Sequence, residues 1–96
     1  MEKFKNKTVV ITGASQGIGE AATRMFAGLG ANVALLARSK DKINKISSEI
    51  NLNGKKSIAI QCDVSHANQM ENAIKTTIKM FGSIDEVKMA NDNDKV

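Results

Sequence analysis

The sequence predicts an α/β fold in which the strands of a parallel sheet alternate with helices. Two observations carry this prediction. Short β-branched, almost continuously apolar runs are typical of strands covered on both faces, and they alternate with segments whose apolar residues recur at helical spacing. The predicted order is β-α-β-α-β-α. We expect one domain, because 96 residues fall below the usual domain size of roughly 100 to 150.

The first strand is predicted over residues 7–12 and ends at Gly13. From Ile18 to Leu29 the apolar residues recur at helical spacing, which predicts a helix. Gly30 then provides the stop expected just beyond a helix C-terminus.

The second strand is predicted over residues 33–37, followed by a helix over 40–53. Ser39 is the expected N-cap of that helix and Gly54 its stop. The core face of the helix is expected to carry Ile43, Ile46 and Ile50.

The third strand is predicted over residues 57–62, with a third helix after it. Ser65 is the expected cap and Gly82 the end of this helix. One face of it is lined by Met70, Ala73, Ile74, Thr77, Ile78 and Phe81.

Composition argues against several classes of function. The lysines behind the net charge of +4 are scattered and have no aromatic residues between them, so we expect solvated faces and no nucleic-acid partner. No apolar run is long enough for a signal peptide or a membrane span. The single cysteine, Cys62, excludes an internal disulfide and a Cys-rich metal site, and favours a cytoplasmic location. We expect Cys62 to be a core residue and His66 to begin the third helix, neither being catalytic.

A glycine-rich turn joins the first strand to the first helix with the spacing G-x-x-x-G-x-G. Backbone N–H groups at such a helix start, aided by the helix dipole, form a site for pyrophosphate. Gly13 permits the tight exit from the strand, Gly17 lets the backbone approach the phosphates, and Gly19 allows close packing of the helix. Ser15 and Gln16 can add hydrogen bonds at the rim.

This spacing resembles the glycine motif of the short-chain dehydrogenases/reductases, and four further segments match that family in register. They are Gly28-Leu29-Gly30-Ala31-Asn32-Val33, Ala37-Arg38, Cys62-Asp63-Val64-Ser65 and Phe81-Gly82-Ser83-Ile84-Asp85. The resemblance covers residues 7–85. It implies the N-terminal half of a Rossmann-type doubly wound sheet, with strand order 3-2-1-4 and an incomplete fourth strand.

The resemblance also implies a site for NAD(P). Asp63 would accept a hydrogen bond from the adenine amino group, with Val64 beside it, although an Asp before a helix also commonly forms a turn. The implied cofactor contacts are Gly13, Ser15, Gln16, Gly17, Ile18, Gly19, Arg38, Asp63 and Val64.

Coenzyme choice depends on the end of the second strand, where an acidic residue would bind the ribose hydroxyls of NAD. That position is Ala37, and Arg38 follows it. A guanidinium here can pair with the 2′-phosphate of NADP, which favours NADP over NAD. The alternative is that Arg38 opens a loop and points into water. The family more often adds a second basic residue in the glycine loop, where this chain has Gln16.

Full members of the family transfer hydride between the nicotinamide and an alcohol or carbonyl compound, using a Tyr-x-x-x-Lys pair. This chain contains no tyrosine. After Asp85 the family pattern is lost, and Glu86 and Lys88 suit a buried central strand poorly. We therefore expect a partial dinucleotide-binding domain over 1–85, a disordered tail over 86–96 and no catalytic residue in this chain.

The expected function is the NADP(H)-binding N-terminal segment of an oxidoreductase of this family. The alternatives are a non-catalytic nucleotide-binding or subunit-interaction module and a degenerate gene fragment. A second polypeptide or a second copy of the chain is a possible partner, because an incomplete sheet leaves apolar surface and strand edges exposed.

Overall fold

The computed structural model describes residues 2–90. Its elements are β1 (Thr8–Thr12), α1 (Gly17–Gly28), β2 (Asn32–Ala37), α2 (Lys40–Leu52), β3 (Lys56–Gln61), α3 (Ala67–Phe81) and β4 (Glu86–Met89). All strand pairs are parallel, and the sheet order is β3-β2-β1-β4. The predicted doubly wound α/β architecture is confirmed.

The two faces of the sheet pack against different helices. On one face Val9, Ile11 and Leu35 form a cluster with the apolar sides of α1 and α2. On the other face Val10 and Leu36 pack with Cys62, which follows β3, and with Ala73, which belongs to α3. Because neighbouring residues of β1 and β2 point to opposite covered faces, both strands are buried at almost every position.

Cys62 is buried, as predicted, and lies directly after β3. Its backbone N–H donates to the carbonyl oxygen of Ala37 at 2.9 Å, which continues the pairing of β3 with β2 beyond the strand end. Burial raises the pKa of the Cys62 thiol. The side chain is therefore a neutral core group.

The prediction of a disordered tail beginning at residue 86 is wrong for Glu86–Met89. This segment forms β4 and pairs with β1 from Val9 to Thr12. Glu86 and Lys88 share one face of β4 and are exposed. They form an ion pair in which Nζ of Lys88 lies 3.3 Å from Oε1 of Glu86. They are tolerated because every residue of β4 is exposed within the described part of the chain, so neither face of the strand is covered. The remainder of the predicted tail, 91–96, lies outside the described residues.

Asp85 anchors the beginning of β4 to β1. Its carboxylate accepts a hydrogen bond from the backbone N–H of Thr8 at 2.8 Å. Its own N–H donates to the carbonyl oxygen of Thr8, also at 2.8 Å. At the other end of the pair, the Thr12 hydroxyl donates to the Met89 sulfur at 3.7 Å. These contacts bracket the pairing of β4 with β1.

The helix ends lie within one residue of the sequence predictions. Ser39 is the N-cap of α2, although its side chain makes no cap hydrogen bond, and Gly82 is the C-cap of α3. The N-cap of α3 is His66, so the prediction of Ser65 is wrong. The Ser65 hydroxyl donates instead to Asp63.

Candidate functional site

The glycine turn leaves the end of β1 and enters α1 through two backbone conformations that side chains disfavour. Gly13 has φ of 63° and Gly17 has φ of 58°. Gln16 is the N-cap of α1, with extended backbone and no side-chain cap hydrogen bond. The N–H groups of the first helical turn are thus uncapped by Gln16, and such groups are the donors that an anion uses at a helix N-terminus.

Gly19 is buried where α1 crosses the turn. A Cβ at this position would lie 1.8 Å from the carbonyl oxygen of Gly13 and 2.6 Å from its carbonyl carbon. The close packing expected of Gly19 is therefore against the backbone of the turn itself. The Thr23 hydroxyl, which is buried, donates to the Gly19 carbonyl oxygen at 2.8 Å.

The middle of the turn is attached to β2. Ala14 is fully buried, and its N–H donates to the carbonyl oxygen of Leu36 at 3.2 Å. Beyond it the chain becomes more accessible: Ser15 is half-buried, and Gln16, Gly17 and Ile18 are exposed. Ile18 is 79% exposed, which is unusual for an isoleucine and leaves an apolar side chain at the start of α1.

Arg38 follows β2 and is exposed. Its carbonyl oxygen accepts a hydrogen bond from the Gln61 side-chain amide at 3.2 Å, which fixes the backbone of this segment against the end of β3. The preceding residue, Ala37, is buried and offers no carboxylate. The position that would bind the ribose hydroxyls of NAD through an acid is therefore apolar.

Lys42 also belongs to this region, and sequence reasoning missed it. Its Nζ donates to the Gln16 side-chain oxygen at 3.2 Å, linking the first turn of α2 to the glycine turn. The predicted start of α2 at Lys40 placed residue 42 in the first helical turn, one turn beyond Arg38. That spacing was the available signal.

Asp63 forms a turn, which is the structural role given above as the alternative to contact with adenine. One carboxylate oxygen accepts hydrogen bonds from the Ser65 hydroxyl at 2.7 Å and the Ser65 N–H at 3.0 Å. The other lies 3.6 Å from Nδ1 of His66. The hydrogen bonds from Ser65 hold the pKa of Asp63 below its usual range, and Coulombic interactions with His66 and Arg38 act in the same direction. Asp63 is thus a carboxylate, which accepts hydrogen bonds but does not donate them.

The sheet brings the three predicted segments to one edge. The glycine turn follows β1, Arg38 follows β2, and Asp63 with Val64 follows β3, and the carboxyl ends of parallel strands lie on the same side. Val64 is half-exposed there. In open α/β sheets this edge is where ligands bind.

One pocket lies away from the segments at the carboxyl edge. An open pocket of about 530 Å³ lies at the opposite, amino-terminal edge of β2 and β3. It is lined by Asn32, Asn51, Lys55, Lys56, Ser57, Met80 and Phe81. Within residues 2–90 no group of three or more His, Cys, Asp or Glu side chains is placed to hold a metal ion. None of the helices described is both long and apolar enough to cross a membrane.

A family model described as short chain dehydrogenase matches residues 7–90. The chain belongs to the short-chain dehydrogenase family. The match extends five residues beyond Asp85, where the resemblance was expected to end, and so includes all of β4. The observed parallel sheet with alternating helices is the fold that this membership implies.

One curated relative and two solved structures illustrate the similarity of this chain to known proteins. The chain is 41% identical over 81 residues to the 3-oxoacyl-(acyl-carrier-protein) reductase FabG of Staphylococcus epidermidis, covering 83% of this chain and 33% of that protein. It superposes on a hydroxysteroid dehydrogenase from Escherichia coli with a TM-score of 0.86 and 28% identity, covering 90% of this chain and 37% of that one. A metagenomic short-chain oxidoreductase in complex with NADP gives a TM-score of 0.81 and 32% identity, covering 88% and 38%. The chain spans about a third of the length of the curated relatives it matches.

Proposed function

We propose that this chain is the NADP(H)-binding segment of a short-chain oxidoreductase that transfers hydride between NADP(H) and an alcohol or carbonyl compound. The observation that carries the proposal is the backbone contact between Gly13 and Gly19, which fixes an uncapped helix N-terminus directly after β1. Because the chain has no tyrosine, the proton-transfer group of the reaction would be supplied by residues outside these 96.

The proposed cofactor lies along the carboxyl edge of the sheet. Its pyrophosphate would bind the N–H groups of the glycine turn, where Gly17 keeps the approach free of a side chain. Its adenine would lie beside Asp63 and Val64. The carboxylate oxygen of Asp63 that faces His66 accepts no hydrogen bond from Ser65, so it has capacity for the adenine amino group.

The preference for NADP over NAD is supported by charge at the end of β2. Ala37 leaves no carboxylate to repel a 2′-phosphate, and the exposed Arg38 offers a guanidinium that can pair with it. A similar short-chain oxidoreductase is in complex with NADP.

The exposed edge of β4 supports a partner that completes the sheet, either a second polypeptide or a second copy of the chain. Val87 and Met89 are 43% and 63% exposed on the face that β4 shares with Val10 and Thr12. An uncovered strand edge with apolar neighbours favours pairing. The free, buried Cys62 fits the reducing cytoplasm as the location.

Titration calorimetry with NADP and NAD tests the proposal on the intact chain and on two variants. We expect NADP to bind more tightly than NAD. Gly17→Val should abolish binding of both, because it places a branched side chain in the phosphate approach. Arg38→Ala should weaken NADP by about tenfold or more, the loss expected for a charge-assisted hydrogen bond, while NAD changes little. The proposal fails if the folded chain binds neither dinucleotide, and its coenzyme preference fails if NAD binds more tightly.

A further inference from the structure

Lys42 extends across the gap between α2 and the glycine turn. Its ammonium group donates to the Gln16 side-chain oxygen at 3.2 Å, although 26 residues separate the two in sequence. Both residues are exposed, so a ligand at the carboxyl edge has access to the ammonium. Gln16 occupies the loop position where the family more often has a basic residue.

The charge of Lys42 is not neutralised by the contact that positions it. The partner oxygen belongs to a neutral amide, and within residues 2–90 neither Lys42 nor Arg38 forms an ion pair. The lysines and arginines that do form ion pairs lie elsewhere. Arg24, for example, pairs with Glu20 and Glu49. Two cations without an ion pair among the described residues therefore flank the end of β2, one from the strand end and one from α2.

We propose that Lys42 is the second cation for the 2′-phosphate of NADP, supplied by α2 instead of the glycine loop, and that Gln16 positions it. This inference rests on the proposed function. A 2′-phosphate is a dianion and accepts charge-assisted hydrogen bonds from Lys42 and Arg38 together. The 2′-hydroxyl of NAD carries no charge, so Lys42 discriminates between the two coenzymes.

Calorimetry with 2′,5′-ADP and 5′-AMP isolates this contribution, because the two probes differ only in the 2′-phosphate. Lys42→Gln should weaken 2′,5′-ADP by about tenfold and 5′-AMP by less than about twofold. Lys45→Gln is the matched control, since it removes the same charge from an exposed position of the same helix. It should change both affinities by less than about twofold. Circular dichroism confirms that each variant is folded.

The role of Gln16 is tested by a double-mutant cycle. If Gln16 positions Lys42, Gln16→Ala should weaken 2′,5′-ADP in the native background and have little effect once Lys42 is Gln. Additive losses would show that Gln16 acts independently, which contradicts the positioning role.

The outcomes separate this inference from the function on which it rests. If the native chain binds 2′,5′-ADP more tightly than 5′-AMP and Lys42→Gln does not reduce that difference, the inference is wrong and the proposed function stands. Equal losses for both probes, or equal effects of the Lys42 and Lys45 changes, also overturn it. If the folded native chain binds neither probe, both proposals are wrong.

Discussion

A Cβ at position 19 would lie 1.8 Å from the carbonyl oxygen of Gly13, a separation that no side chain can occupy. The first turn of α1 therefore rests directly on the backbone of the residue that ends β1. This contact couples the strand, the turn and the helix start into one unit. The same residue types that make the turn tight also leave its N–H groups accessible to an anion.

Gly19→Ala should destabilise the chain by about 1–3 kcal/mol or more, because the added methyl group meets backbone atoms that have little freedom to move. Urea denaturation followed by circular dichroism measures the change. Gly28→Ala is the control, since a Cβ there meets nothing within 4 Å and the residue ends the same helix. We expect that variant to retain its stability or to gain up to about 1 kcal/mol. Equal stability of the two variants would contradict the packing contact.

Asp85→Ala should loosen β4, because the Thr8 N–H loses the carboxylate that accepts its hydrogen bond. We expect a loss of about 1–3 kcal/mol in stability. Hydrogen exchange of the Thr8 amide should accelerate in parallel. Glu86→Ala removes a neighbouring carboxylate whose ion pair with Lys88 is exposed, and it should cost less than about 1 kcal/mol. Unchanged exchange at Thr8 in the Asp85 variant would show that this anchor is not formed.

Ser65→Ala should raise the pKa of Asp63 toward its usual range, because the Ser65 hydroxyl is the main cause of the lowering. A lowered carboxyl pKa stabilises the folded chain above the unfolded value of about 3.9, and that contribution is lost as pH falls through the folded value. Acid sensitivity arising from Asp63 should therefore shrink in the variant. Carbon-detected NMR titration of the Asp63 carboxyl group measures this. Ser48→Ala, an exposed serine of α2, should leave the titration unchanged.

The parts of the fold that sequence predicted are those encoded by local patterns. The alternation of strands and helices follows from runs such as Val9-Val10-Ile11 and from the helical spacing of Ile43, Ile46 and Ile50, which are all buried. The glycine turn was predictable because its glycines are required by the local backbone. Gly13 and Gly17 have positive φ, and Gly19 packs against the backbone of Gly13. The buried state of Cys62 followed from its place at a strand end.

The missed features depend on contacts between distant segments. Residues 86–89 were assigned to the tail because Glu86 and Lys88 suit a covered strand poorly, yet whether a strand is covered depends on which elements pack on its faces and not on its own sequence. The contact between Lys42 and Gln16 spans 26 residues, so the helical spacing that places Lys42 near Arg38 does not by itself predict its partner. The predicted N-cap of α3 was off by one residue because the Ser65 hydroxyl donates to Asp63 instead of capping the helix. A search for cap residues does not detect this hydrogen bond.

The most direct test of the proposed cofactor site is an NMR titration of the intact chain with NADP, following every backbone amide. We predict saturable shifts that are largest at Gly13–Gly19, with further shifts at Arg38, Asp63 and Val64. Shifts concentrated instead at the opposite edge of the sheet, around Asn32, Asn51 and Ser57, would contradict the proposed cofactor site. The absence of any saturable shift in the folded chain would contradict it equally.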